Sequence, residues 1–119
     1  MSYTEVFIEE HRKAVFIFEG NDVIIIVDLY PCELGLEAID AAIDVYRVRV
    51  GYKSIPVQEP FSDGRMEIVC IGEYCTSIAL MLRIPYAVYS SKGLDAVVEE
   101  LKNMVKQFEP CLGTSTASQ

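Results

Sequence analysis

Between Tyr3 and Glu9 the chain alternates, with Glu5, Phe7 and Glu9 on one side and Val6 and Ile8 on the other. A period of two marks a strand with one polar and one apolar face. The polar residues His11, Arg12 and Lys13 follow, and then a second apolar run from Ala14 to Glu19 carries Val15, Phe16, Ile17 and Phe18. Gly20-Asn21-Asp22 is a turn signal, because Gly and Asn tolerate positive φ. The third run, Val23 to Asp28, is apolar at five consecutive positions. Such a run suits a central strand covered on both faces, or one covered on one face and set against a partner on the other. Short turns make these three runs antiparallel neighbours, a β-meander.

Pro31 breaks the third run, and Leu36, Ile39, Ile43, Tyr46 and Val50 then recur at helical spacing. Glu37, Asp40 and Asp44 fall on another face, and Arg47 and Arg49 sit near the C-terminal end, where the helix dipole favours cations. A helix ending by Gly51 is expected there. Tyr52 to Gln58 reads as an edge strand, because Pro56 cannot donate to a ladder. Glu59 to Gly64 is a loop, and Arg65 to Ile71 a further strand. Gly72 then opens an expected helix running through Arg83, since Ile78 to Leu82 has no polar stripe. Ile84 to Tyr89 is expected as a short strand. Ser90 or Ser91 can cap a last helix with Leu94, Val97, Val98, Leu101, Met104, Val105 and Phe108 in register, ended by Pro110.

The order predicts an α+β or mixed α/β class. Its sheet would be mixed, of about five to six strands with about three helices in a layered sandwich. An N-terminal antiparallel meander would precede a βαβ-like unit over Arg65 to Tyr89, with a right-handed crossover. Residues 1–110 read as one domain. The tail 111–119 reads as disordered, because from Gly113 onward it has no apolar residue larger than Ala.

Composition narrows the partners. The 119 residues are 51% hydrophobic, enough for a real core. Eighteen acids against ten Lys and Arg leave a net charge of −8, which disfavours phosphate backbones and anionic membranes. The only basic concentration is Arg47, Arg49, Lys53 and Arg65, with Tyr46 and Tyr52 among them. It reads as helix-end complementarity followed by a charge-guarded edge. The apolar runs are far shorter than the roughly 20 residues of a membrane span. Cys32, Cys70, Cys75 and Cys111 form no CxxC pair, and His11 is the sole histidine, so no metal or cofactor is expected. With a polar, acidic N-terminus, a cytoplasmic protein with reduced thiols is expected.

Four residues stand out as ligand or partner candidates. Asp28 closes a strand just before an expected helix, at the edge where α/β sheets often bind ligands, and a carboxylate there suits Mg²⁺ or a proton. No second acid accompanies it at a metal-motif spacing. Cys75 sits near an expected helix start, where the dipole lowers a thiol pKa, yet no histidine lies near in sequence and Glu73 opposes the effect. Tyr30, Tyr86 and Tyr89 form an aromatic patch beside Asp28 if their strand ends adjoin. Gly72 stands alone, without a phosphate-loop motif. None of these residues is assigned a catalytic, cofactor or metal role.

The pattern therefore predicts a small non-enzymatic binding or protein-interaction domain, with a second copy or another protein as partner. The motive is the pair of apolar segments Val23 to Val27 and Ile78 to Leu82, which so short a chain has limited means to cover. The alternative is a small-molecule-binding protein or enzyme with its site at the strand C-terminal ends near Asp28 and Cys75.

Overall fold

The computed structural model describes residues 2–9, 12–30, 50–55, 64–71 and 77–106. Six strands form one sheet: β1 (Ser2–Glu9), β2 (Arg12–Glu19), β3 (Asp22–Tyr30), β4 (Val50–Ile55), β5 (Arg65–Ile71) and β6 (Ser77–Pro85). Their spatial order is β1-β2-β3-β6-β5-β4, and every neighbouring pair is antiparallel. Helices α1 (Tyr86–Lys92) and α2 (Leu94–Lys106) follow. The class is α+β.

The N-terminal meander forms as its alternation predicts. β2 and β3 are joined by the two residues Gly20 and Asn21, with Glu19 facing Asp22 across the first rung. Gly20 has φ 59°, the positive value that a tight hairpin turn needs at its first central residue.

The second half corrects the expected βαβ-like unit. β5 and β6 run antiparallel from Arg65 opposite Arg83 to Ile71 opposite Ser77, so no crossover joins them. The stretch expected as a helix up to Arg83 is strand from Ser77 onward, and the expected strand Ile84 to Tyr89 turns helical at Tyr86. The physical reason lies in β6 itself. Leu80, Leu82 and Ile84 are buried on one face and Ala79 and Met81 on the other. A strand covered on both faces has no polar stripe either, so it carries the same signature as a helix apolar all round. The described strands form no mixed sheet. The helix expected from Leu36 lies outside the described residues, except that Val50 begins β4.

β3 and β6 pair at the centre of the sheet. Val23 faces Ile84, Ile25 faces Leu82 and Val27 faces Leu80, with Ile24 and Ile26 on the opposite side. The row Phe16–Ile25–Leu82–Met66 crosses four strands on one face. α2 covers that face with Val97, Leu101 and Val105, one residue per turn, all fully buried. Each such side chain contributes about 1.5–3 kcal/mol relative to exposure. Leu94, expected on the same stripe, is instead exposed at the first position of the helix.

Pro85 closes β6 in extended geometry, φ −62° and ψ 144°, and stands immediately before α1. The Tyr86 amide then donates to the Asn21 carbonyl at 2.7 Å, tying α1 to the β2–β3 turn. Gly93 separates the helices at φ 86°, a backbone state that strains other residues. Its amide donates to the Tyr89 carbonyl at 2.9 Å, and its carbonyl accepts from the Val97 amide at 3.1 Å. Among the described residues, no helix is long and apolar enough to cross a membrane.

Candidate functional site

The antiparallel order decides which candidates can meet. Tyr30 faces Ile78, Ile78 faces Cys70 and Cys70 faces Val50, so these four share one row across β3, β6, β5 and β4. Asp28, Ala79, Val69 and Gly51 form a second row, next inward. A register shift separates Asp28 from Tyr30, leaving Leu29 as the extra residue of a β-bulge. Bulges bend a strand and re-aim its side chains, and they recur at edges and beside active sites.

At this end the chain leaves and re-enters the sheet three times, at Glu9 and Arg12, at Tyr30 and Val50, and at Ile71 and Ser77. Asp28 and Tyr30 are therefore at the same sheet end as the strand residues flanking Cys75. Cys75 itself lies outside the described residues, as do Gly72, Cys32 and Cys111.

Tyr86 is at the other end. It follows Pro85, which pairs with Asp22 at the start of β3. Asp28 is six residues further along that strand, about 20 Å at about 3.3 Å per residue. The aromatic patch expected of Tyr30, Tyr86, Tyr89 and Asp28 is thus divided, because antiparallel pairing puts the end of β6 beside the start of β3. Tyr86 instead joins an aromatic cluster that holds α1 on the sheet. Its ring centroid is 6.4 Å from that of Phe18 and 5.9 Å from that of Tyr89. Tyr89 in turn lies 5.5 Å from Phe18 and 6.0 Å from Phe16. Edge-to-face pairs at these separations add about 0.5–1.5 kcal/mol each beyond area burial.

A second location is β1, an edge strand among the described residues. β1 ends the strand order, and its described partner is β2 alone. Thr4, Val6 and Ser2 face Phe16, Ala14 and Phe18 of β2 on the helix-covered side. Tyr3, Glu5 and Phe7 lie on the other side, where Tyr3 is 45% and Phe7 59% exposed. These two aromatics stand four residues apart on one face of an edge strand. The alternation already places Phe7 among the acids Glu5 and Glu9; what it lacks is the strand order that puts β1 at the end of the described sheet.

The charges beside Phe7 are paired. Lys13 Nζ lies 3.0 Å from Glu5 Oε2 and 5.4 Å from the Phe7 ring centroid. A cation over an exposed ring contributes about 0.5–1 kcal/mol. Glu9 faces Arg12, which is buried although its neighbourhood reads as a polar corner. At the opposite end of β3, Arg83 Nη1 donates to Asp22 Oδ2 at 2.8 Å. Comparison with protein-family models, curated proteins and solved structures finds no match.

Proposed function

We propose that this chain is a small non-enzymatic interaction domain that works by protein contact along β1. The carrying observation is the exposed pair Tyr3 and Phe7 on a strand with no described neighbour beyond it. Aromatic residues are enriched at protein interfaces, and an open strand edge supplies a row of backbone donors and acceptors. The contact surface is not the one the apolar segments suggest. Val23 to Val27 and Ala79 to Leu82 pair with each other and are buried within this chain. A cytoplasmic setting belongs to the same proposal and is supported by the four unpatterned cysteines.

The assembly containing this chain in an extract of the producing cells, sized by gel filtration and immunodetection, is expected to exceed the 13.4 kDa monomer. Tyr3→Ser with Phe7→Ser is expected to release the monomer, and Asp28→Asn to leave the assembly intact. The proposal is contradicted by a native chain that elutes as monomer, or by an assembly that Asp28→Asn dissolves and the β1 pair does not.

A second function, a small-molecule site at the strand ends, is favoured by one specific observation. Asp28, the bulge after it and the strand residues flanking Cys75 share one end of the sheet. A rise in melting temperature with Mg²⁺ that Asp28→Asn removes would support it, since a ligand that binds only the folded state stabilises that state.

A further inference from the structure

We propose that the occupant of the β1 edge is a second copy of this chain, paired antiparallel to β1 about a two-fold axis at Glu5. This deepens the contact function above and rests on it. Natural sheets guard open edges with charge, proline or bulges. β1 contains no proline, and its first bulge lies beyond Phe7, so Ser2 to Phe7 is a regular stretch. The acid at its centre is answered from within the chain: Glu5 is held by Lys13 at 3.0 Å. The charge that would repel another strand is thereby reduced, while Tyr3 and Phe7 remain exposed.

The register follows from the residues. In a continuous sheet built on a two-fold axis, opposed residues lie on the same face, so the axis passes through one residue and its own copy. An axis at Val6 sets Phe7 against Glu5 and Tyr3 against Glu9, placing each aromatic against an acid. An axis at Thr4 sets Tyr3 against Glu5 and leaves Phe7 without a cross-strand partner among Ser2 to Phe7. An axis at Glu5 sets Tyr3 against Phe7 of the second copy, and Phe7 against its Tyr3. Directly opposed aromatics are favourable cross-strand pairs. Ser2 would then face Ile8, and Thr4 would face Val6. The two Glu5 carboxylates meet at the axis with a Lys13 outside each, an order of charges that runs plus, minus, minus, plus. The aromatic pairs are self-complementary, as a two-fold contact requires, while the two opposed Glu5 carboxylates act against it.

Each copy has a net charge of −8, so long-range repulsion opposes pairing and salt screens it. Association is therefore expected to tighten as salt rises, the reverse of a contact with nucleic acid. An edge-to-edge contact lies at the small end of stable interfaces, which sets the concentration range to search.

Sedimentation equilibrium of the purified chain from about 1 to about 200 μM tests the inference, that range bracketing a weak contact. The expected result is a monomer–dimer equilibrium weakened about tenfold or more by Phe7→Glu and equally by Phe7→Lys, the size of loss seen when a central contact residue is changed. Opposite charges giving one outcome exclude a net-charge effect. Phe7 is exposed, so both variants should keep the native circular dichroism; if either unfolds, Tyr3→Ser gives the same measurement at the opposing aromatic. A dimer that these substitutions leave intact overturns the β1 assignment. A chain that stays at 13.4 kDa throughout overturns the second copy as occupant. Both outcomes leave contact with another protein in place, since that is measured separately by the assembly in cell extract.

Discussion

Ile24→Ala and Ile25→Ala are each expected to destabilise the fold by about 3 kcal/mol, although the two side chains lie on opposite faces of the sheet. Truncating a buried Ile to Ala removes transfer free energy and leaves a cavity, with a usual cost of about 2–5 kcal/mol. Both residues are fully buried. Ile25 lies between Phe16 and Leu82 under α2, whereas Ile24 lies between Ile17 and Arg83 on the other face. Chemical or thermal denaturation would measure both. At roughly 4 °C per kcal/mol for a chain of this size, each melting temperature should fall by about 12 °C. A strand covered on one side alone predicts a large loss for one variant and a loss below about 0.5 kcal/mol for the other, as at an ordinary surface position. That asymmetry would contradict the two-sided burial of β3.

Leu101→Asp is expected to have a still larger effect. Leu101 is the middle of the three residues that α2 lays on the sheet, flanked by Val97 and Val105. A carboxylate at that position would enter a face made of Phe16, Ile25, Leu80 and Leu82. An unpaired charge in such surroundings costs more than a cavity does, of order 4 kcal/mol or above. Whole domains are stable by only about 5–15 kcal/mol, so this variant should lose cooperative unfolding or expose the face that α2 covers. Leu101→Ala should cost about 3 kcal/mol and stay folded. Dye binding to exposed apolar surface, with near-ultraviolet circular dichroism, separates the two. A Leu101→Asp protein that melts like the wild type would show that α2 does not dock on this sheet.

The meander was legible because each of its strands carries a local signal. β1 alternates, the β2–β3 turn contains Gly20, and β3 is apolar from Val23 to Val27. α2 was legible from Leu94, Val97, Val98, Leu101, Met104 and Val105, whose mixed spacings of one, three and four fit one face of a helix and not the period of two of a strand. β6 was hidden by its own composition. Ala79, Leu80, Met81 and Leu82 are good helix formers, and pairing with both β3 and β5 overrides that local preference. α1 was hidden in the opposite way. Tyr86, Val88 and Tyr89 favour strands locally, yet the rings pack on Phe18 and Phe16 from a helix.

Tyr86 follows the same logic at the level of function. A helix running through Arg83 would leave the strand after it free to bring Tyr86 beside Asp28. Once β6 runs antiparallel to β3, Tyr86 belongs to the far end. The exposed face of β1 was legible residue by residue, in Tyr3, Glu5 and Phe7. Its place at the end of the described strand order was not, because strand order is set by long-range pairing.

The central claim is that the two apolar segments close on each other inside the chain and leave β1 as the surface for contact. Hydrogen exchange read by mass spectrometry at low and high protein concentration tests it directly. The account predicts that amides of 23–27 and 79–84 are strongly and equally protected at both concentrations. Those of β1 should gain protection only at the higher one. If 79–84 exchanges quickly at low concentration and becomes protected when the protein is concentrated, that segment is itself the contact surface, and the account is contradicted.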